Sequence, residues 1–278
     1  MNRYVVITGA SKGIGRATAL HLDSLGFHVF AGVRKAQDAD QLRSAASERL
    51  TPVLLDITNS THIEQVVEEV TKRAGKEGIA GLVNNAGIAL AAPLEFIPVA
   101  EFRQQIEVNL IGQLAVTQAF IPLLRAQPGR IINISSIGGR LASPMIGAYH
   151  ASKFALEALT DSLRLELHPW GIDAISIQPG TIATPIWETS VHKANEMMAG
   201  MPAEMRVLYG PQIDKAQASA AVSAKNGIAP ERVAAVIGHA LTTRRPRTRY
   251  LVGPDAKIAA RAVVPLPDRV RDRLILAR

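Results

Sequence analysis

The sequence predicts a single-domain α/β protein, a Rossmann-like doubly wound parallel sheet with helices on both faces. Three observations carry that reading. Short apolar runs rich in Val and Ile alternate with amphipathic helical patterns, as βαβ units with strands buried on both faces require. The first run feeds a glycine-rich turn and then a helix. No internal repeat, low-complexity tract or Pro/Gly/Ser linker divides the first 180 residues, and α/β folds often run past that length as one unit.

Strands are expected at Tyr4–Thr8, His28–Val33, Pro52–Asp56, Gly81–Asn84, Arg130–Ser135, Asp173–Gln178 and Tyr250–Val252. Helices are expected near Gly13–Leu25, Gln37–Ser47, Ser60–Ala74, Ala100–Leu124 and Ala148–His168. Ligands of such sheets bind beyond the carboxyl ends of the strands, near the reversal of strand order. Gly9, Asp56, Asn84, Ser136 and Pro179 fall at those ends. After Pro179 the chain changes character. Residues 185–225, with Trp187, Met197, Met198, Met201, Met205 and Tyr209, read as a substrate lid or insertion. Their Met and Trp residues suit an adaptable apolar pocket, although such clusters also serve as ordinary core. Residues 254–278 read as a C-terminal extension of a domain spanning 1–278.

The opening turn, Gly9-Ala10-Ser11-Lys12-Gly13-Ile14-Gly15, joins a strand to a helix N-terminus. Free N–H groups and the helix dipole there attract phosphate, and the glycines let the backbone approach it. The spacing is one residue longer than the generic GxGxxG fingerprint. Alone it would serve equally as a plain turn; between this strand and this helix it reads as a dinucleotide site. Charge then points to the cofactor. An acid ending the second strand binds the ribose 2′-hydroxyl of NAD, whereas Arg accommodates the 2′-phosphate of NADP. Here Val33 is followed by Arg34 and Lys35 with no carboxylate, and Lys12 offers a second cation, so NADP(H) is expected. The competing reading is a solvated turn. Asp56 either caps a turn, contacts the cofactor, or does both.

Tyr149 and Lys153 lie one helical turn apart, on one face. A neighbouring ammonium favours a phenolate, so Lys153 is expected to depress the Tyr149 pKa and yield a tunable proton donor. Ser136 offers a hydroxyl to hold a substrate oxygen. Asn109 sits in an otherwise apolar helix, where a mediocre helix former asks for a reason; a satisfied buried Asn is one. His150 faces away from Tyr149 and reads as pocket-lining or structural.

Thr8-Gly9-Ala10-Ser11-Lys12-Gly13-Ile14-Gly15, Asn84-Asn85-Ala86-Gly87, Ser136, Tyr149-x-x-x-Lys153 and Pro179-Gly180 resemble, in order, the motif set of the short-chain dehydrogenase/reductase family. The resemblance covers roughly Tyr4 to Thr184. It implies that Gly9, Ser11, Lys12, Gly13, Ile14 and Gly15 cradle the cofactor, and that Asp56 and Ile57 meet its adenine. It further implies that Asn85, Ala86 and Gly87 pack beside the adenosine half. Pro179, Gly180, Ile182 and Thr184 would meet the nicotinamide carboxamide, and Tyr149 and Lys153 the ribose side. By the same resemblance Asn109 holds a water in a proton relay to Lys153, and homodimers or homotetramers are expected. The tail and the Ala100–Leu124 region look most like hydroxysteroid and retinol dehydrogenases.

Composition narrows the rest. The chain has no cysteine, which excludes disulfides and thiolate chemistry. Its seven histidines are scattered, with no metal-ligand spacing, and nicotinamide chemistry needs no metal. The N-terminal apolar run is too short for a signal peptide. Val108 to Leu124 holds Asn109, Gln113, Gln118 and Pro122, so no transmembrane segment is expected and a cytoplasmic location is the default. The net charge of +7, concentrated near Arg244–Arg249 and the last ten residues, suits acidic partners or peripheral membrane contact. A solvated face or a subunit contact is the simpler reading, and no nucleic-acid motif accompanies the charge. The expectation is an NADP(H)-dependent oxidoreductase interconverting an alcohol and a ketone or aldehyde on a small, mainly apolar substrate. A non-catalytic dinucleotide sensor or scaffold on the same fold is the alternative.

Overall fold

A computed structural model describes residues 3–277; positions 1, 2 and 278 of the expected domain lie outside the described residues. Seven parallel strands form one sheet: β1 (Tyr4–Ile7), β2 (His28–Val33), β3 (Leu50–Leu54), β4 (Gly81–Asn84), β5 (Arg130–Ile134), β6 (Asp173–Pro179) and β7 (Arg249–Val252). Their spatial order is β3-β2-β1-β4-β5-β6-β7. Val5 is in register with Val29 on one side and Gly81 on the other. The chain therefore winds outward from β1 to β3, then crosses over to β4, and the reversal opens a crevice at the β1–β4 carboxyl ends.

Alternation along β1 shows how both faces are filled. Val5 and Ile7 point to a layer built from α1 (Gly13–Ser24), α2 (Ala36–Ser44) and α9 (Pro230–Thr242), packing with Leu22, Leu42, Val233 and Ile237. Val6 points the other way, to α3 (Ser60–Ala74), α5 (Gly112–Ala126) and α6 (Gly147–Glu166), among Val66, Val116, Phe120 and Leu163. Each fully buried Val, Leu or Phe contributes about 1.5–3 kcal/mol of transfer free energy, so the two layers together drive folding.

Three differences from expectation have physical reasons. The third strand ends at Leu54, two residues before Asp56. Asp56 Oδ1 instead accepts from the Thr58 N–H and hydroxyl at 3.0 and 2.7 Å, a local turn that competes with the ladder. The helix expected at Ala100–Leu124 is α4 (Val99–Ile106) and α5, joined by a π-helical turn over Glu107–Ile111 that carries Asn109. Val99–Ala126 is long and apolar enough to cross a membrane by length and composition; here it lies on the sheet and buries Val116, Phe120 and Leu124. Helix α9 has no counterpart in the sequence reading. Its signal was present, with Pro230 at the first turn and Val233, Ile237 and Ala240 on one buried face.

The lid region forms α7 (Ile186–Ala199) and α8 (Ala203–Asn226). The C-terminal extension holds α10 (Pro254–Ile258) and α11 (Asp268–Leu276). Helix α11 exposes Val270, Leu274 and Leu276 among arginines.

Candidate active site

A cleft of about 1780 Å³ runs along the carboxyl edge of the sheet, from Arg34 and Asp56 past Tyr149 to the lid. Its inner end is the glycine turn. Gly15 is buried, and a Cβ there would overlap the Gly9 carbonyl and the Asn85 amide. The absent side chain lets the turn fold tightly onto the β4 loop and leaves its backbone facing the cleft. Ser11, Lys12, Gly13 and Ile14 line this end, and Thr184 abuts Gly13. Such a cradle fits a pyrophosphate at a helix N-terminus.

Arg34 and Lys12 are exposed on the same cleft. Burial pushes the Asp56 carboxyl up, but its two Thr58 bonds, with the nearby Arg34 and His62 charges, outweigh this and hold it below the ordinary carboxylate range. Asp56 thus caps a turn and stays anionic, while Ile57 is buried beneath the cleft.

The opposite wall is the loop after β4. Asn85 Nδ2 donates to the Thr8 and Gly9 carbonyls at 3.0 and 2.9 Å, and the Asn85 and Ala86 N–H groups both donate to Thr8 Oγ1 at 2.9 Å. Asn85 is therefore a brace between β1 and β4. Gly87 is exposed on the cleft.

Sequence reasoning missed what holds this wall. Gln105, Asn109, Gln113 and Thr117 recur every four residues along α4–α5, all buried. Thr117 Oγ1 accepts from Asn84 Nδ2 at 2.8 Å and Gln113 Nε2 donates to Ala86 O at 2.8 Å. Asn109 accepts from Ile88 N–H at 2.8 Å and donates to Ile88 O at 2.9 Å. Gln105 accepts from Leu90 N–H at 2.9 Å and donates to Ile88 O at 2.8 Å. Four helical residues rise about 6 Å and two extended residues about 6.6 Å, so the two periods match and the helix zips the loop down. A polar stripe at helical spacing on an apolar helix was the signal.

Asn109 also donates to Ser152 Oγ at 3.0 Å, and Ser152 in turn donates to Tyr149 O at 2.7 Å. The π-turn thus carries Asn109 to the base of α6. Tyr149 and Lys153 project from α6 into the cleft, one turn apart. Lys153 Nζ is buried, donates to Ile134 O at 2.7 Å and lies 5.7 Å from the Tyr149 ring centroid. Burial lowers its pKa to about 8, against an opposing pull from Glu157.

The expected depression of the Tyr149 pKa by Lys153 is overturned in this structure. Burial raises it, and the nearby Ser136 hydroxyl opposes this. The ammonium is aimed at a carbonyl, not at the phenol oxygen. Ser136 is held in turn by the Gly138 N–H, which donates to its Oγ at 2.9 Å. Ser135 Oγ is buried on the Gly139 side. His150 fastens the Ser136 turn to α6: Nδ1 meets Gly138 O at 2.8 Å, and Nε2 accepts the Ser143 N–H at 3.0 Å. Both contacts fit a neutral ring, and burial lowers the His150 pKa accordingly.

At the outer end, Pro179, Gly180, Ile182, Thr184 and Trp187 line the cleft with lid residues of α7 and α8. The lid methionines lie elsewhere: Met198, Met201 and Met205 line a separate hollow of about 320 Å³ between α7 and α8. Among the described residues no cluster of His, Asp or Glu could hold a metal ion.

The short chain dehydrogenase family model matches residues 3–195. The chain is 38% identical to retinol dehydrogenase 5 of Mus musculus, over 98% of this chain and 87% of the relative. It is 35% identical to an NADPH-dependent 3-dehydrocapnine reductase of Ornithobacterium rhinotracheale, over 98% and 95%. A solved short chain dehydrogenase from Burkholderia cenocepacia J2315, in complex with NADP, superimposes with a TM-score of 0.74 at 28% identity, over 99% of this chain and 98% of that one.

Proposed function

The chain belongs to the short-chain dehydrogenase family and is an oxidoreductase of that family, and we propose that it interconverts a carbonyl and an alcohol on a mainly apolar substrate with NADP(H). The observation that carries this is the convergence of Ser136, Tyr149 and Lys153 on one cleft, with Lys153 Nζ 5.7 Å from the Tyr149 ring centroid. A bound NADPH would supply the hydride to the carbonyl carbon. Tyr149 gives its phenolic proton to the carbonyl oxygen, and the raised pKa keeps that proton in place at neutral pH. Ser136 orients the same oxygen. Lys153, anchored to the Ile134 carbonyl one turn from Tyr149, would hold the nicotinamide ribose beside the phenol. The reverse reaction uses Tyr149 as base.

The cradle at Gly9–Gly15 fits the dinucleotide's pyrophosphate, and Arg34 with Lys12 fits a 2′-phosphate. A homologous reductase described as NADPH-dependent and a solved homologue holding NADP support that choice. Residues 185–225 act as the substrate lid, and two or four copies assemble. The test is loss of NADPH absorbance with apolar ketones and aldehydes. Tyr149→Phe should lower turnover by about 10²–10⁴-fold, while NADPH binding without turnover would favour a sensor. Arg34→Ala should weaken NADPH by about 10–100-fold and spare NADH; equal loss for both would sink the 2′-phosphate assignment.

A further inference from the structure

The wall formed by the loop leaving β6 is held from the far end of the chain. The Gly180 N–H donates to Val252 O at 2.9 Å. Ile228 donates its N–H to Thr181 O at 3.1 Å and accepts from Ala183 N–H at 3.0 Å. Trp187 Nε1 donates to Ile182 O at 2.7 Å. The Thr181 N–H donates to a side chain, Asp255 Oδ2, at 2.6 Å.

Asp255 is placed for this by the fold. It is the second residue of α10, which follows β7 through Gly253, whose φ of 108° only glycine adopts readily. Its carboxylate lies so close to Gly180 that a Cβ there would overlap it. The two residues interlock: glycine at 180 admits the carboxylate, and the carboxylate fixes the amide at 181. The bonded amides flank Ile182 and lead to Thr184, which abuts the glycine turn at Gly13. Asp255 itself lines the cleft.

We propose that Asp255 is a positioning residue for the dinucleotide site, holding the Thr181–Thr184 backbone in the conformation that receives the nicotinamide end. The C-terminal extension thereby completes a site otherwise built by the first two-thirds of the chain. The inference rests on the NADP(H) reading, and the experiment separates the two.

NADPH and NADH are titrated into the full chain by fluorescence, without substrate. Asp255→Ala should weaken the bound dinucleotide about tenfold, as loss of one charge-assisted bond predicts. Asp255→Asn, which keeps an acceptor oxygen, should fall between wild type and Ala at unchanged thermal stability. Gly180→Ala should weaken binding, but add little further loss in the Asp255→Ala background, because the overlapping group is gone. Wild-type binding with Asp255 variants within about twofold of it, or losses that multiply in the double variant, would overturn the clamp alone. A wild type that binds neither dinucleotide overturns the NADP(H) reading and the clamp together.

Discussion

The two walls of the cleft are held by opposite means. The β4 wall, residues 84–90, is fastened by four buried side chains at four-residue spacing on one helical run. The β6 wall is fastened by backbone groups of residues 228–252, the Trp187 indole and one exposed carboxylate, Asp255. Buried bonds are expensive to break, because a stranded donor or acceptor loses water as well as its partner. Exposed bonds cost less stability to break, since water replaces part of what is lost. The β4 wall is therefore a fixed surface, and the β6 wall with its lid is the side that can adjust.

The sharpest way to break this comparison is Asn109→Leu. It strands the Ile88 N–H and removes one of the two bonds at Ile88 O and one of the two at the Ser152 hydroxyl. With one group left unsatisfied, at about 1–3 kcal/mol, and two further bonds lost, a loss of about 2–3 kcal/mol is expected in urea unfolding. A loss under about 1 kcal/mol would mean that this wall is no more fixed than the other.

Lys153, between the walls, gives a pH-dependent test. Its folded pKa of about 8 lies below the ordinary lysine value of about 10.4. Below pH 8 both states hold the proton, and the buried cation carries a constant cost. Between about 8 and 10.4 the unfolded chain binds more protons, so stability rises with pH through that window. Lys153→Met should therefore be favoured at pH 7 relative to its standing at pH 10. A difference between the two proteins that stays flat across the window would show that Lys153 is not held at the cost inferred.

Gln113→Leu refines the same comparison at smaller scale. Gln113 makes one bond to the wall, through Nε2, and its Oε1 is already unpartnered. About 1–2 kcal/mol is expected, clearly less than for Asn109. Equal losses would deny Asn109 its special place at the π-turn.

The same contrast explains what could be read from the sequence. The β1 turn, Ser136, Tyr149 and Lys153 were legible because each motif is local: a strand end, a glycine spacing, an i,i+4 pair. The Gln105–Asn109–Gln113–Thr117 stripe was equally local but was read only at Asn109, since an apolar helix draws the eye to its hydrophobic face. The Asp255–Thr181 bond joins positions 74 residues apart, and its acceptor is one carboxylate among many, so no local pattern announces it. Tyr149 failed differently. Its neighbour was identified, but the direction of the ammonium depends on where Ile134 presents its carbonyl, which spacing does not encode.

The smallest effect is expected at the lid. Lys193 on α7 donates to Glu101 on α4 at 3.1 Å, both partly exposed. Nearby, Tyr209 of α8 donates to Glu95 at 2.7 Å and meets the Phe96 ring edge-on. Partly exposed pairs contribute about 0.2–1 kcal/mol, so Lys193→Ala should leave thermal stability nearly unchanged. If this pair biases the lid toward closure, the variant should raise KM for an apolar substrate about two- to fivefold. High salt screens such a pair, so the wild type at about 1 M salt should approach the variant, and the variant itself should respond little. A KM that ignores both the substitution and the salt would leave the lid unattached to α4. A large loss of stability would instead place the lid with the fixed wall, and the division of the cleft into one rigid and one adjustable side would fail.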